Sequence, residues 1–251
     1  MPRYDFRTPR LYVDAPLGAG AKVPLEVSQI NYVRNVLRRK PGEAVLVFNG
    51  CDGEWRGTLA EASKRSVLLL IEGCVRTQTQ ALDLHYVFAP LKHARLDYMV
   101  QKAVELGVSR LQPVLTRHAQ VARVNLDRMR ANTIEAAEQC GILTLPDIAA
   151  PLSLERFLAG RDSARLLVFC DEDAEVKDPV VALSAVRPRD GVTVPLAILV
   201  GPEGGFADDE RAALLKLPNV VRLALGPRIL RADTAAVAGL ALVNALLGDW
   251  R

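Results

Sequence analysis

Two grammars of hydrophobic and polar positions divide the chain. Through the first third, short apolar runs alternate with Gly, Asp and charged turns. Leu11–Val13, Ala44–Gly50, Glu54–Ala62 and Ser66–Glu72 read as strands. Asn49-Gly50 and Asp52-Gly53 are turn signals and predict a hairpin between the second and third runs. Before them, Val27–Arg39 places Ile30, Val33, Val36 and Leu37 on one helical face. Ser28 is a candidate cap, and Lys40-Pro41-Gly42 is the stop. Short strands plus one helix predict a small β-barrel with the helix embedded in it.

The polar, aperiodic stretch Gly73–Ala81 reads as a linker. The expected division is residues 1–73 for the barrel, 74–81 for the linker and 82–251 for a second domain. There strands and helices alternate. Strands are expected at Leu82–Pro90, Ser109–Leu115, Arg165–Cys170, Pro195–Val200 and Val220–Leu225. Helices are expected at His93–Leu106, Asn125–Cys140, Asp208–Leu217 and Asp233–Leu247. This order predicts an α/β fold with a mostly parallel sheet covered on both faces, whose ligands bind beyond the carboxyl ends of the strands.

Composition narrows the classes. Half the residues are hydrophobic, 24% are charged and 5% are aromatic, as in a globular enzyme without base-stacking platforms. The start has no signal-peptide core, and the most apolar run, Ala235–Leu247, is too short to span a bilayer, so a cytoplasmic protein without a membrane partner is expected. Cys51, Cys74, Cys140 and Cys170 are widely spaced, and the three histidines form no i, i+4 pair, so no metal site is expected. Residues 1–82 carry 12 Lys and Arg against 8 Asp and Glu, whereas 83–251 carry 20 against 21. The positive excess at the front hints at a polyanionic partner.

Candidate chemistry sits at Ile198–Glu210, ILVGPEGGFADDE. An apolar strand ends in three glycines within five residues, where the backbone must turn unusually or approach something closely. No Lys and Ser or Thr follow, so it is not a P-loop, and G-x-G-x-x-G is absent. Glu203, Asp208, Asp209 and Glu210 would repel a phosphate and favour a neutral or cationic ligand. A second loop, Ala224–Val243, repeats the plan: strand end, Gly-Pro, turn, apolar helix. Arg228 and Arg231 flank Ile229-Leu230, and Asp233-Thr234 is a candidate cap. Side by side, the two loops would wall a pocket for a flat heterocycle. Separately, they would be tight turns with their arginines in surface ion pairs.

LVGPEGGF paired with LGPRILRADTA resembles the RsmE family of 16S ribosomal RNA (uracil N3)-methyltransferases, in the SPOUT superfamily. Gln101–Val108, Glu135–Cys140 and Asn31–Glu43 are similar to other landmarks of that family in the right order, so the resemblance covers almost the whole chain. It implies a PUA-like RNA-binding barrel in front and a SPOUT parallel sheet behind, with a C-terminal trefoil knot and a homodimeric assembly. It also implies S-adenosyl-L-methionine as cofactor, held by Leu199, Val200, Gly201, Glu203, Gly204 and Gly205 of the first loop. Leu225, Gly226, Ile229, Leu230, Thr234 and Ala235 would hold it from the second, and a strand end near Phe169–Glu172 would be the third wall. The family usually has Thr at Ala207, Glu at Asp233 and Arg at Ile142.

The implied reaction methylates uridine N3 in 16S ribosomal RNA, free or in the small subunit, which requires loss of the imide proton. Arg228 or Arg231 would stabilise the uridinate electrostatically, and Asp233 or Glu203 would be the base. RNA would be gripped by Arg3, Arg7 and Arg10, by Arg34, Arg38, Arg39 and Lys40 on the first helix, with Arg34 and Arg38 on one face, and by Arg117 and Arg123. Three other readings stay open at this point: another RNA position, an RNA-binding protein without catalysis, and a metabolic enzyme acting on a small nucleotide.

Overall fold

In a computed structural model of the chain the described residues are 5, 7–63, 66–121, 123–188 and 194–250. They form two compact units: Met1–Gln80 with Ala137–Leu145, and Ala81–Ala136 with Pro146–Arg251.

The first unit contains β1 (Arg10–Tyr12), β2 (Lys22–Pro24), β3 (Ala44–Phe48), β4 (Glu54–Ser63) and β5 (Ser66–Arg76). They make one sheet in the order β1-β3-β4-β5-β2. β1 runs parallel to β3, and the other pairs are antiparallel. The predicted hairpin is β3–β4, with Gly50 and Gly53 at φ 90° and 84° in its turn. β2 was not foreseen: three residues carry no readable alternation. The stretch read as a linker begins as strand, because β5 continues to Arg76 and pairs Cys74 with Trp55.

The predicted helix is shorter than expected. α1 (Val27–Asn31) passes into one π-helical turn, Tyr32–Val36, and the helix ends there. Its N-terminus is capped by Glu26, whose N–H donates to Gln29, so Ser28 is not the cap. Arg38 has φ 53° and lies beyond the helix. Arg34 and Arg38 therefore share no helical face, and Arg34 pairs with Glu61 at 2.9 Å. Ile30 and Val33 still turn inward, onto Val45, Val47, Leu59 and Leu69.

The second unit holds β6 (Leu84–Phe88), α2 (His93–Glu105), β7 (Arg110–Leu115), α3 (Leu126–Cys140), β8 (Asp147–Ile148), β9 (Leu152–Ser153), α4 (Leu154–Gly160), β10 (Leu166–Cys170), α5 (Pro179–Ala185), β11 (Leu196–Val200), α6 (Asp208–Leu215), β12 (Val220–Leu223) and α7 (Ala232–Leu246). The last turn of α3 counts with the first unit. The sheet runs β12-β10-β11-β6-β7-β8, with β9 also on β7, and every pair is parallel.

Strand alternation shows why the apolar runs are continuous. Leu196, Ile198 and Val200 face one layer, in which α2, α3, α5 and α7 contribute Met99, Met129, Leu183 and Leu240. Ala197 and Leu199 face the other, with Leu154 of α4 and Leu214 of α6. All five residues of β11 are buried, as a doubly covered parallel strand requires.

Candidate active site

The strand ends of β10, β11 and β12 open into one cavity of about 450 Å³. Three loops wall it: Asp171–Asp173 after β10, Gly201–Phe206 after β11, and Leu225–Leu230 after β12. The structure thus brings both glycine loops and the third strand end together. Of the residues expected around a cofactor, Val200, Gly201, Glu203, Gly204 and Gly205 line this cavity from the first loop. Leu225, Gly226, Ile229, Leu230 and Ala235 line it from the second. Two do not. Leu199 points into the core beneath the sheet, fully buried, because alternate residues of a strand face opposite sides. Thr234 is exposed on α7, away from the lining.

The geometry of the first loop accounts for its glycines. A Cβ on Gly201 would lie 2.5 Å from Phe206 Cε2, so the ring folds back over bare backbone. Phe206 then meets Phe169 edge to face, with centroids 5.3 Å apart, closing the cavity floor. Gly205 has φ 71°, a left-handed conformation that costs other residues energy. Past the loop, α6 starts at Asp208. Ala207, its N-cap, has no side-chain acceptor, but Glu210 takes the Ala207 N–H at 3.0 Å. Half of a capping box survives the change from Thr.

Of the four acids expected to form a negative rim, Glu203, Asp209 and Glu210 are partnered, whereas Asp208 is exposed and lines the cavity. Asp209 pairs with Arg117 at 2.6 Å, and Glu210 also accepts the Arg117 N–H at 2.8 Å. Glu203 accepts from Gln120 Nε2 at 2.7 Å and contacts Arg95. Asp233 accepts two hydrogen bonds from Arg95, at 2.9 and 3.0 Å. These bonds hold the Asp233 carboxyl below the usual carboxylate range. Both of its oxygens are engaged, so it is a poor proton acceptor. It does not cap α7 either: the N-cap is Arg231, and the N–H that Asp233 accepts is that of its neighbour Thr234.

Arg228 lines the cavity, and Arg231 stands exposed three residues on, outside the lining. Among the described residues neither makes an ion pair, contrary to the reading of two plain surface turns. On the wall after β10, Asp171 is buried and held by Arg222 Nε at 2.7 Å and Arg211 Nη2 at 3.0 Å. Burial pushes the neighbouring Cys170 thiol up to about 12, which keeps it a neutral wall group. Arg95, Gln120, Arg211 and Arg222 went unnoticed in the sequence. Their partners lie tens of residues away, and no local motif announces them.

The residues expected to grip RNA do not share one environment; Arg34 is paired with Glu61. Arg3 lies outside the described residues. Arg10 is not available: its side chain is inside the first unit, bonded to Glu54 at 2.6 Å and to backbone carbonyls of Glu138 and Ile142, with its guanidinium over the Phe48 ring. The Ile142 carbonyl used there comes from a position where the family usually has Arg. Arg7, Arg38, Lys40, Arg117 and Arg123 are exposed, and Arg39 is half-buried. Among the described residues there is no cluster of His, Cys, Asp and Glu able to hold a metal ion, and no helix is long and apolar enough to cross a membrane.

A cavity at three parallel strand ends, walled by two glycine loops, is a ligand site by geometry. Comparisons with known proteins give the family of the chain. Residues 78–244 match the model of an RNA methyltransferase domain, and residues 25–72 match an RNA methyltransferase PUA domain. The ribosomal RNA small subunit methyltransferase E of Rickettsia conorii is 30% identical over 96% of both chains. The protein of that name from Synechocystis is 31% identical over 90% of this chain and 74% of its own. Among solved structures, a ribosomal RNA small subunit methyltransferase E from Neisseria gonorrhoeae bound to S-adenosyl methionine has a TM-score of 0.80 at 28% identity, covering 98% of this chain and 100% of that one. A putative methyltransferase from Legionella pneumophila in complex with SAM gives the same TM-score and identity over 95% and 98%. With residues 78–244 matched to an RNA methyltransferase domain, residues 25–72 to its PUA domain, and a relative 30% identical over 96% of both chains, the chain belongs to the ribosomal RNA small subunit methyltransferase E family.

Proposed function

We propose that the protein transfers a methyl group from S-adenosylmethionine to N3 of a uridine in 16S ribosomal RNA. One observation carries the reading: both glycine loops wall the same cavity, and an unpaired arginine, Arg228, stands at its edge. The cavity fits the cofactor. Its size is that of a ligand site, its walls mix bare backbone with Leu225, Ile229 and Leu230, and no P-loop lysine is present to bind phosphate. When bound, S-adenosylmethionine supplies a methyl group on a positively charged sulfur.

The chain's own residues must bind, orient and handle a proton. Uridine N3 carries a hydrogen and has no free lone pair, so the N–H bond must break as the new N–C bond forms. Negative charge then spreads from N3 to O2 and O4. Arg228 at the cavity, helped by Arg231 three residues on and outside the lining, would stabilise that charge, as preorganised donors stabilise an oxyanion. A guanidinium stays protonated at ordinary pH and acts as a clamp, not a base. Asp233 is committed to Arg95, and Glu203 to Arg95 and Gln120, so the proton passes to solvent or to a group on the RNA, with the arginines lowering the cost of the anion.

The parallel order β12-β10-β11-β6, with α7 packed on α2, α5 and β11, supports the C-terminal knot that the resemblance implies. A homodimer and a cytoplasmic location complete the reading. Arg7, Arg38, Arg39, Lys40 and Arg123 are the phosphate contacts. The reading is tested by mass mapping of ribosomal RNA from a strain lacking the protein. The expected result is loss of one N3-methyluridine from 16S ribosomal RNA. Unchanged uridines with loss of a methyl group elsewhere would move the target, and no change at all would remove the reaction.

A further inference from the structure

One side chain outside the cavity touches the supports of both its loops. Arg95 stands in the first turn of α2. Its Nε and Nη2 donate to Asp233 Oδ2 and Oδ1 at 2.9 and 3.0 Å, and its Nη1 contacts a Glu203 carboxylate oxygen. Glu203 belongs to the loop after β11 and lines the cavity. Asp233 lies in the first turn of α7, directly behind the loop after β12. A planar guanidinium with its donors in a fixed fork can serve two carboxylates at once, which the point charge of a lysine does less well. The three side chains are 32%, 29% and 17% exposed, so the pairing is partly shielded from water and salt.

The two loops differ in their other supports. The first is also held from outside by Gln120, which donates to Glu203 at 2.7 Å, and by His118, whose Nδ1 lies 3.2 Å from the Gly205 carbonyl. Among the described residues no side-chain hydrogen bond reaches Gly226–Ala232, so the ion pair at Asp233 is the nearest side-chain tie on the second loop. Without the arginine, Glu203 and Asp233 would face each other as uncompensated like charges.

We propose that Arg95 is a positioning residue: by pairing with Glu203 and Asp233 together it sets the separation of the two loops and holds the methyl-donor cavity in its binding form. The inference rests on the functional reading above and adds to it a residue that never touches the reacting atoms. It also explains why the acids beside the glycine loop do not repel each other out of place.

The test uses the full chain and three variants: Arg95→Gln, Arg95→Lys, and Arg95→Gln combined with Glu203→Gln and Asp233→Asn. Two quantities are measured: amide hydrogen exchange without ligand, and calorimetric titration with S-adenosylmethionine. Arg95→Gln is expected to speed exchange in Gly201–Phe206 and Gly226–Ala232 together and to weaken cofactor binding about tenfold. Arg95→Lys should recover part of both effects. The triple variant should exchange more slowly in both loops than Arg95→Gln alone, because the facing charges are gone; a merely structural arginine would show no such relief. Faster exchange confined to α2, unchanged cofactor affinity in Arg95→Gln, or loops that exchange as fast in the triple variant as in the single one would overturn the proposal. If the parent chain itself gave no heat with S-adenosylmethionine, the functional reading would fail. The exchange data would then decide the loop tie alone, with coupled loosening supporting it and unchanged loops refuting it.

Discussion

A methyl group on Gly201 has nowhere to go: the Phe206 ring occupies its place, and that ring is held edge-on by Phe169 above the lower apolar layer. Gly201→Ala should therefore lower stability by about 2 kcal/mol through overpacking and weaken cofactor binding as the loop shifts. At Gly205 the demand is conformational, and alanine there should cost about 1 kcal/mol. Thermal unfolding of both variants checks the order; a Gly201→Ala protein as stable as its parent would contradict the geometry. In the first unit, Glu54 is buried between two arginines. Burial alone would raise its pKa, but hydrogen bonds from Arg76 and Arg10 outweigh burial and hold it below the usual carboxylate range. A depressed carboxyl adds stability that is complete above the unfolded-state value and is lost as pH falls through the lower folded-state value. Glu54→Gln should cost about 3 kcal/mol at neutral pH by leaving two guanidinium groups buried without their partner. It should also remove part of the acid sensitivity. Denaturation followed by Trp55 emission in a Trp250→Phe background reads both, and an unchanged acid limb would refute the assignment.

At the scale of elements, the parallel sheet was the most legible part of the chain. β11 shows as a run of five apolar residues bounded by Pro195 and Gly201, and α2 and α7 show as amphipathic and apolar helices at nearly their observed bounds. What escaped was short or was set by distant contacts. α4 and α5 have seven residues each, too few for a period to stand out, and β2, β8 and β9 have two or three. Periodicity that continues through Leu37 predicts a longer first helix, whereas the backbone passes into a π-helical turn and takes a positive φ at Arg38. The glycine loops were readable because their motifs are local. The ion pairs that brace them were not, since Arg95 and Asp233 are 138 positions apart. Packing of α7 onto the sheet depends on Gly239, where a Cβ would lie 2.6 Å from Ile198 Cδ1 and 3.3 Å from Cys170 Sγ. Gly239→Val should push the helix off the strands that frame the cavity, and both thermal stability and cofactor affinity should fall. A variant that loses neither would mean that α7 is not seated as described.

Across the whole molecule, charge is distributed more narrowly than the sequence total suggests. Several basic residues of the first unit are spent internally: Arg10 and Arg76 on Glu54, Arg34 on Glu61, Arg56 on Glu72. Arg38, Arg39 and Lys40, consecutive after the π-helical turn, make no ion pair among the described residues. They should carry much of the attraction for RNA phosphates. Replacing all three with Ala should weaken binding to a 16S ribosomal RNA fragment and flatten its salt dependence by about two charges; an unchanged salt slope would place the RNA elsewhere. Three strand ends, two of them bearing glycine loops, form one cavity of a size for a sulfonium-bearing nucleoside. Calorimetric titration of the purified protein with S-adenosylmethionine, alongside ATP and NAD, should give saturable heat with S-adenosylmethionine, strongly reduced in Gly201→Ala, and none with the two phosphate-bearing nucleotides. No heat from the methyl donor, or equal binding of all three, would contradict this reading of the cavity.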